Sequence, residues 1–566
     1  MPAIGAFTFV LHSHLPYARL AGRWPHGEEW IHEAAIETYI PLLETLYDLK
    51  DEGVNYRLML GMTPTLAEQL TDALVLEHLG QYIENRIEAA KQDIVHFEKE
   101  GNAPLRDLAQ WYQQMFEKTK WLFNKRFDRD IVGGYRQLQE DGYIEIFTSV
   151  ATHAYLPLLA QDSSIDAQIK TGIASYQRVF GRKPKTLWLP ECGYRPATVD
   201  EDGNDRPGIE HFLAENDIRL FFSETHTITG GQPVGVAAGD VIGPYGDVKR
   251  RYTIPDTAKT PQRLATTYQP YYVSDSLRSD KTRKHSGTVV IGRNNNSGQQ
   301  VWSAEWGYPG DFDYREFHKK AGTSGLQYWC VSGEDVPLGE KNVYQPDWAR
   351  YKIDQHAEHF AHLVWDLLSD YNRETEQFGI VCSTYDTELF GHWWFEGVSW
   401  LGKVLRHLDS NSEIEMTTAS EFITARPPEA VLRLAEGSWG TGGTHFTWDN
   451  GATHWMWQPI HEAERRMEAL VANFQNPTED EEVVLNQAAR ELLLLQSSDW
   501  QFLITTGQAK NYAIQRFSQH LERFNELADS VDDFQPARKR AEELWEIDKL
   551  FPDIDYRWFG TYTNGK

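Results

Sequence analysis

The chain predicts an α/β fold built on a parallel sheet, with a barrel favoured over a small open sheet. Two observations carry that expectation. Short apolar runs of strand length recur and end in polar residues, and long helical patterns separate them. A strand that returns to its sheet through a helix runs parallel to its predecessor, and both faces of such a sheet are covered.

In order, the runs are Ala6 to Leu11 before His12, Tyr56 to Leu60 before Gly61, Tyr143 to Phe147 before Thr148, Thr186 to Leu189 before Glu191, Ile218 to Phe222 before Ser223, and Gly379 to Val381 before Ser383. In parallel barrels function collects at the C-terminal strand ends, where these polar residues fall, although strand ends are also ordinary turn sites. Thr65 to Asp93 reads as a long helix opened by the capping box Thr65-x-x-Glu68. Residues 71–140 are helical and rich in charge, aromatics and Gln. They separate the second strand from the third by more than one crossover helix, so they read as an inserted helical subdomain within a barrel formed by 1–70 and 141–425. Residues 229–299 lose any clean period and read as one long loop region of that barrel. After a Pro427-Pro428 break come a Gly/Trp-rich segment, Gly437 to Trp457, and long helices, one of them opening with a capping box from Thr478 to Glu481. Residues 426–566 therefore read as a C-terminal helical domain.

The 566 residues suffice for two to four domains or one large barrel with insertions. Lys plus Arg is 55 and Asp plus Glu is 83, giving a net charge of −28. That sign repels phosphate backbones and anionic lipid, so nucleic-acid and membrane-surface partners are disfavoured. Three widely spaced cysteines, Cys192, Cys330 and Cys382, fit neither a metal knuckle nor a redox pair and suit a reducing compartment. The start of the chain lacks the basic residues and longer apolar run of a signal peptide, and no apolar stretch is long enough to span a membrane, so a cytoplasmic location is expected. The unusual feature is the aromatic content, 20 Trp, 26 Tyr and 26 Phe, which serves either a large core or a surface where flat rings stack on sugars.

Three constellations could carry chemistry. His12 and His14, two apart on an extended segment, face one pocket and could bind a metal or a polar ligand, with His153 joining them; the plain reading is a turn with incidental histidines. Glu191, between Pro190 and Gly193 at a strand end, is placed as a nucleophile or base would be, or as a cap or salt-bridge partner. Asp386 opens a segment in which Glu388, His392 and Glu396 crowd among Trp393, Trp394 and Phe395, a poor plain core because each polar group would need a buried partner. Glu191 and Asp386 could form the carboxylate pair of a glycosidase, about 5 to 5.5 Å apart if configuration is retained.

The segments His12 to Tyr17, around His153, Trp188 to Tyr194, Tyr385 to Gly397 and Met416 to Phe422 resemble, in order, the five sequence regions of glycoside hydrolase family 57. Within it the likeness is to the 1,4-α-glucan branching enzymes, supported by Val301 to Ser303, Gly307 to Asp311, Gly437 to Gly440 with Trp448, and Leu492 to Trp500. The resemblance implies a (β/α)7 barrel with an inserted helical subdomain and a C-terminal helical domain. It implies Glu191 as nucleophile and Asp386 as general acid/base, with His12, His14, His153, Trp24, Trp302, Trp439, Trp448, Asp499 and Trp500 binding substrate. The implied reaction cleaves an α-1,4 linkage and passes the segment to a 6-hydroxyl, with no metal or organic cofactor and an α-glucan as partner; a monomer is favoured. A loop tyrosine tied to transfer in these enzymes would fall within 229–299, with Tyr245, Tyr252, Tyr268, Tyr271 and Tyr272 as candidates. The alternatives are an α-amylase or 4-α-glucanotransferase of the same family, a metal-dependent carbohydrate hydrolase using His12 and His14, and a non-catalytic glucan-binding protein.

Overall fold

Seven strands run parallel: β1 (Gly5–Ser13), β2 (Leu58–Met62), β3 (Ile144–Ser149), β4 (Leu187–Trp188), β5 (Leu220–Ser223), β6 (Val289–Gly292) and β7 (Gly379–Asp386). The computed structural model describes residues 2–562 except 200–202, 204, 234–240, 244–245, 249–256, 259, 276–284, 303–306, 323, 334 and 531–533. Strand β1 pairs with β7 and β2, β2 with β3, and β3 with β4. A Thr186–Leu220 bridge joins β4 to β5, and β5 pairs with β6. Across the seam between β6 and β7 the Asn294 N–H donates to the Cys382 carbonyl at 2.9 Å. The result is a (β/α)7 barrel, and a short strand β8 (Ile414–Met416) pairs beside the first half of β1.

Alternation along each strand sends every second side chain inward. Val10, Met59, Phe147, Trp188, Phe222, Ile291 and Cys382, one from each strand in turn, form a single buried cluster that fills the barrel. Gly61 makes room for it: a Cβ there would lie 2.3 Å from the Phe147 ring.

All six apolar runs read from the sequence are strands, and two expectations need correction. Residues 229–299 are not one loop, because they contain β6, a short strand Tyr271–Val273 antiparallel to it, and the start of the helix Asn295–Trp302. Strand β6 is four residues long and buried on both faces, so it shows no alternation to read. Thr65 does not cap a helix either. The helix starts at Pro64, and Glu68, buried inside it, binds Ser175 and Arg178. Asp72 then breaks the pattern and caps a second helix, Ala73–Lys99, by accepting from the Leu74 and Val75 N–H groups.

Ala73–Lys99 and Ala103–Trp121 pack against each other outside the barrel, whereas Ile131–Glu140 belongs to its wall, with the Tyr135 hydroxyl donating to the Tyr39 carbonyl at 2.7 Å. At the other end of the chain, Thr478 and Glu481 form the expected capping box on the helix Glu479–Leu495. Its last turn, Leu492 to Leu495, is fully buried and docks beyond β3, where Thr152 donates to the Leu493 carbonyl. Among the described residues no helix is long and apolar enough to cross a membrane.

Candidate active site

Because all seven strands point the same way, their C-terminal ends form one rim. Around it stand His12 (β1), Thr63 beyond β2, His153 beyond β3, Glu191 beyond β4, Glu224 beyond β5, Arg293 beyond β6 and Asp386 (β7).

Glu191 sits in the turn Pro190–Cys192 with φ 59°, and Cys192 follows with φ 49°, two successive side-chain-bearing residues in left-handed backbone. Such strain is retained only where the surroundings over-determine it. Here they do: the Trp439 N–H donates to the Glu191 carbonyl at 3.0 Å, and the Trp439 indole N–H donates to its carboxylate at 2.5 Å. Burial pushes the Glu191 carboxyl up to about 7, against the pull of the Trp439 bond and the His14 ring.

Asp386 is the last residue of β7, in register with His12, and is half-buried. Burial holds its carboxyl well above the usual range, the negative charges of Glu388 and Glu191 push the same way, and the Arg293 guanidinium opposes them. The two carboxyls thus share an upward push from burial and differ in their neighbours: an indole N–H holds Glu191, whereas Asp386 faces two carboxylates and one arginine.

The three histidines come together, stacked in a row. His12 and His153 meet at 3.1 Å between their Nε2 atoms, and the His14 and His153 rings stack at 3.8 Å. Asp499 reaches in from the C-terminal region to bind His14 Nε2 at 2.9 Å, and Ser498 binds His153 Nδ1 at 3.1 Å. Burial holds His12 and His153 well below the ordinary imidazole value, and each is lowered further by its histidine neighbours. Burial opposes charge on His14 as well, yet Asp499, Glu388 and Glu191 outweigh it and raise that ring. His14, His153 and Asp499 place ligand atoms within 4.8 Å of one another, a geometry compatible with a cation but equally satisfied by the hydrogen bonds just described.

The expected tryptophan groove is corrected in part. Trp439 touches the Glu191 carboxylate, Trp302 is half-buried beside Trp393, and Trp24 is 78% exposed. Trp448 and Trp500 are fully buried and present no face to a ligand. Trp448 stacks on Tyr155 at 4.0 Å, and Trp500 lies against His520 and donates to the Leu494 carbonyl. Of the loop tyrosines, Tyr268 stacks on Tyr371, Tyr271 accepts from the Thr266 N–H and Tyr272 stacks on His285, while Tyr245 and Tyr252 lie outside the described residues.

Sequence reasoning passed over Arg293, Glu224 and Ser498. Arg293 carried the signal used elsewhere, a polar residue closing the apolar run Val289 to Ile291, but the surrounding loop-like composition masked it. Ser498 lies within the segment Leu492 to Trp500 that supports the resemblance, but nothing local marks its side chain, since its contact with His153 arises only where a remote helix docks.

Three comparisons bear on this geometry. The model of glycosyl hydrolase family 57 matches residues 8–435, and that of the 1,4-alpha-glucan branching enzyme C-terminal region matches 459–559. A 1,4-alpha-glucan branching enzyme of Thermococcus kodakarensis is 44% identical over 97% of this chain and 78% of that protein. Its crystal structure, in complex with glucose and additives, superposes with a TM-score of 0.88 at 42% identity, over 100% of this chain and 98% of that one. The branching enzyme of Pyrococcus horikoshii gives 0.86 at 39%, over 100% and 98% of the two chains, and the α-amylase AmyC of Thermotoga maritima 0.81 at 28%, over 99% and 100%. With the barrel, the paired strand-end carboxylates and these matches together, the chain belongs to glycosyl hydrolase family 57.

Proposed function

We propose that this enzyme is a 1,4-α-glucan branching enzyme, with Glu191 as nucleophile and Asp386 as general acid/base. The observation that carries the reading is the placement of two carboxyls at the ends of β4 and β7, one held by an indole donor and one among like charges. In the first displacement Glu191 bonds to the anomeric carbon, the α-1,4 C–O bond breaks, and the proton of Asp386 goes to the departing 4-oxygen. In the second, a 6-hydroxyl oxygen takes the anomeric carbon from Glu191 and gives its proton to Asp386. Two inversions at one carbon retain configuration. His12, His14 and His153, with Asp499 orienting His14, bind sugar hydroxyls, and Trp439, Trp302 and Trp24 offer indole surface along the groove. Glycogen-like polymer made in the cytoplasm is the physiological product this reading implies.

The near full-length likeness to named branching enzymes supports transfer over hydrolysis. Linkage analysis after incubation with amylose tests it: new α-1,6 linkages are expected, and reducing ends without them would favour the second reading, an α-amylase, which the likeness to the Thermotoga enzyme keeps in view.

A further inference from the structure

Resting on the sugar-binding reading of the histidines above, we propose that Glu388, gripped by Tyr39, is a positioning residue that anchors the His14 backbone and so places the row of histidines.

Glu388 is a buried carboxyl, 3% exposed, that the two displacements do not use. It stands two residues beyond Asp386 in a short turn, Thr387–Leu389. This turn is zipped to the end of β1. His12 pairs in register with Asp386, Ser13 Oγ donates to Thr387 Oγ1 at 2.7 Å, and the His14 N–H donates to Glu388 Oε1 at 3.1 Å. His14 lies one residue past β1, so the Glu388 side chain continues there what the sheet ladder does for the residues before it.

The same carboxylate oxygen accepts from the Tyr39 hydroxyl, and its two lone pairs can serve both donors. Tyr39 closes a π-helical turn, Ala35–Tyr39, set between the helices Glu28–Ala34 and Ile40–Asp51. Such turns are frequent at functional sites. Here two of its side chains meet the segment after β7: Tyr39 takes Glu388, and Glu37 accepts from His392 Nδ1 at 2.6 Å. Gly391 packs directly on the turn with φ 103°, and a Cβ there would lie 1.9 Å from the Glu37 carbonyl oxygen. Glu388 is thus held from behind by the turn and holds His14 in front.

What the anchor controls is the ring beyond it. His14 Nδ1 meets Thr63 Oγ1 at 3.0 Å, Nε2 meets Asp499 at 2.9 Å, and the ring stacks on His153 at 3.8 Å. These contacts aim the ring only while its backbone stays in place. A shift of about 1 Å would misplace the ring and the sugar hydroxyls it serves.

The test is KM and kcat for amylose consumption, read by loss of iodine stain, which does not depend on whether the product is branched. Glu388→Ala should raise KM about tenfold, the cost of leaving one donor unpaired, with a smaller loss in kcat. Glu388→Gln keeps an acceptor oxygen and should recover most of that loss. Tyr39→Phe, which releases the grip and leaves Glu388 in place, should raise KM about threefold. In a His14→Ala background Glu388→Ala should add little, because both act through one ring. Glu388→Gln as impaired as Glu388→Ala would show that charge rather than placement matters, and an undiminished penalty in the His14→Ala background would show a general structural role. Either result, or an unmoved KM in folded Tyr39→Phe, overturns the inference. His14→Ala with an unmoved KM would instead overturn the sugar-binding reading of the histidines.

Discussion

The ends of β4 and β7 carry the two carboxyls and are built in opposite ways. At β4 the backbone is strained, Glu191 lies in left-handed geometry, and an indole N–H holds its carboxylate. At β7 the backbone stays extended, and Asp386 lies among other carboxylates with one arginine to offset them. Under the roles proposed above, rigid placement and a donated hydrogen bond suit the group that attacks as an anion, whereas like charge nearby suits the one that must hold and return a proton.

Removing each carboxyl breaks the comparison most sharply. Glu191→Gln is expected to lose at least about 10⁴-fold in turnover with any donor, since no other group can form the covalent link. Asp386→Asn is expected to lose about 10²- to 10⁴-fold on amylose. A maltosyl fluoride donor, whose leaving group needs no proton, should restore much of the first half-reaction in Asp386→Asn and none in Glu191→Gln. Equal rescue of both would mean the roles are not divided.

A second test separates groove from core. Trp448→Ala is expected to cost about 3 to 5 kcal/mol of stability in denaturant titration, because it empties a site packed on Tyr155. Trp24→Ala, at an exposed position, should leave stability within about 0.5 kcal/mol and raise KM for long glucans. A stable Trp448→Ala with altered KM would return that ring to the groove.

The smallest effect sharpens the β4 end alone. The Trp439 indole bond favours ionised Glu191, so Trp439→Phe should raise its carboxyl further above about 7. Activity needs Glu191 ionised, so the acidic limb of the pH profile should move upward by about one unit, the value of one charge-assisted hydrogen bond. An unmoved limb would show that the indole only packs there.

Much of this was legible beforehand, and the gaps have physical causes. Six strands announced themselves because an apolar run followed by a polar residue is a local pattern. The seventh, β6, was hidden because four buried residues have no period and their neighbours read as loop. Glu68 and Thr65 imitated a capping box three residues apart, yet Glu68 is engaged by Ser175 and Arg178 across the fold. Trp448 sits in a Gly-rich segment and Trp500 entered the groove only through the family resemblance, and the docking of the C-terminal helices on the barrel wall buries both.

The sequence alone thus determined the strand ends and marked Glu191, Asp386 and the three histidines as candidates, because each is written within a few consecutive residues. Only the tertiary structure decided which charges face Asp386, which indole binds Glu191, and that Asp499 and Ser498 orient two histidines from several hundred residues away. Those contacts form when the sheet closes and the C-terminal helices dock, and electrostatic fields and hydrogen bonds depend on distance in space rather than on separation along the chain.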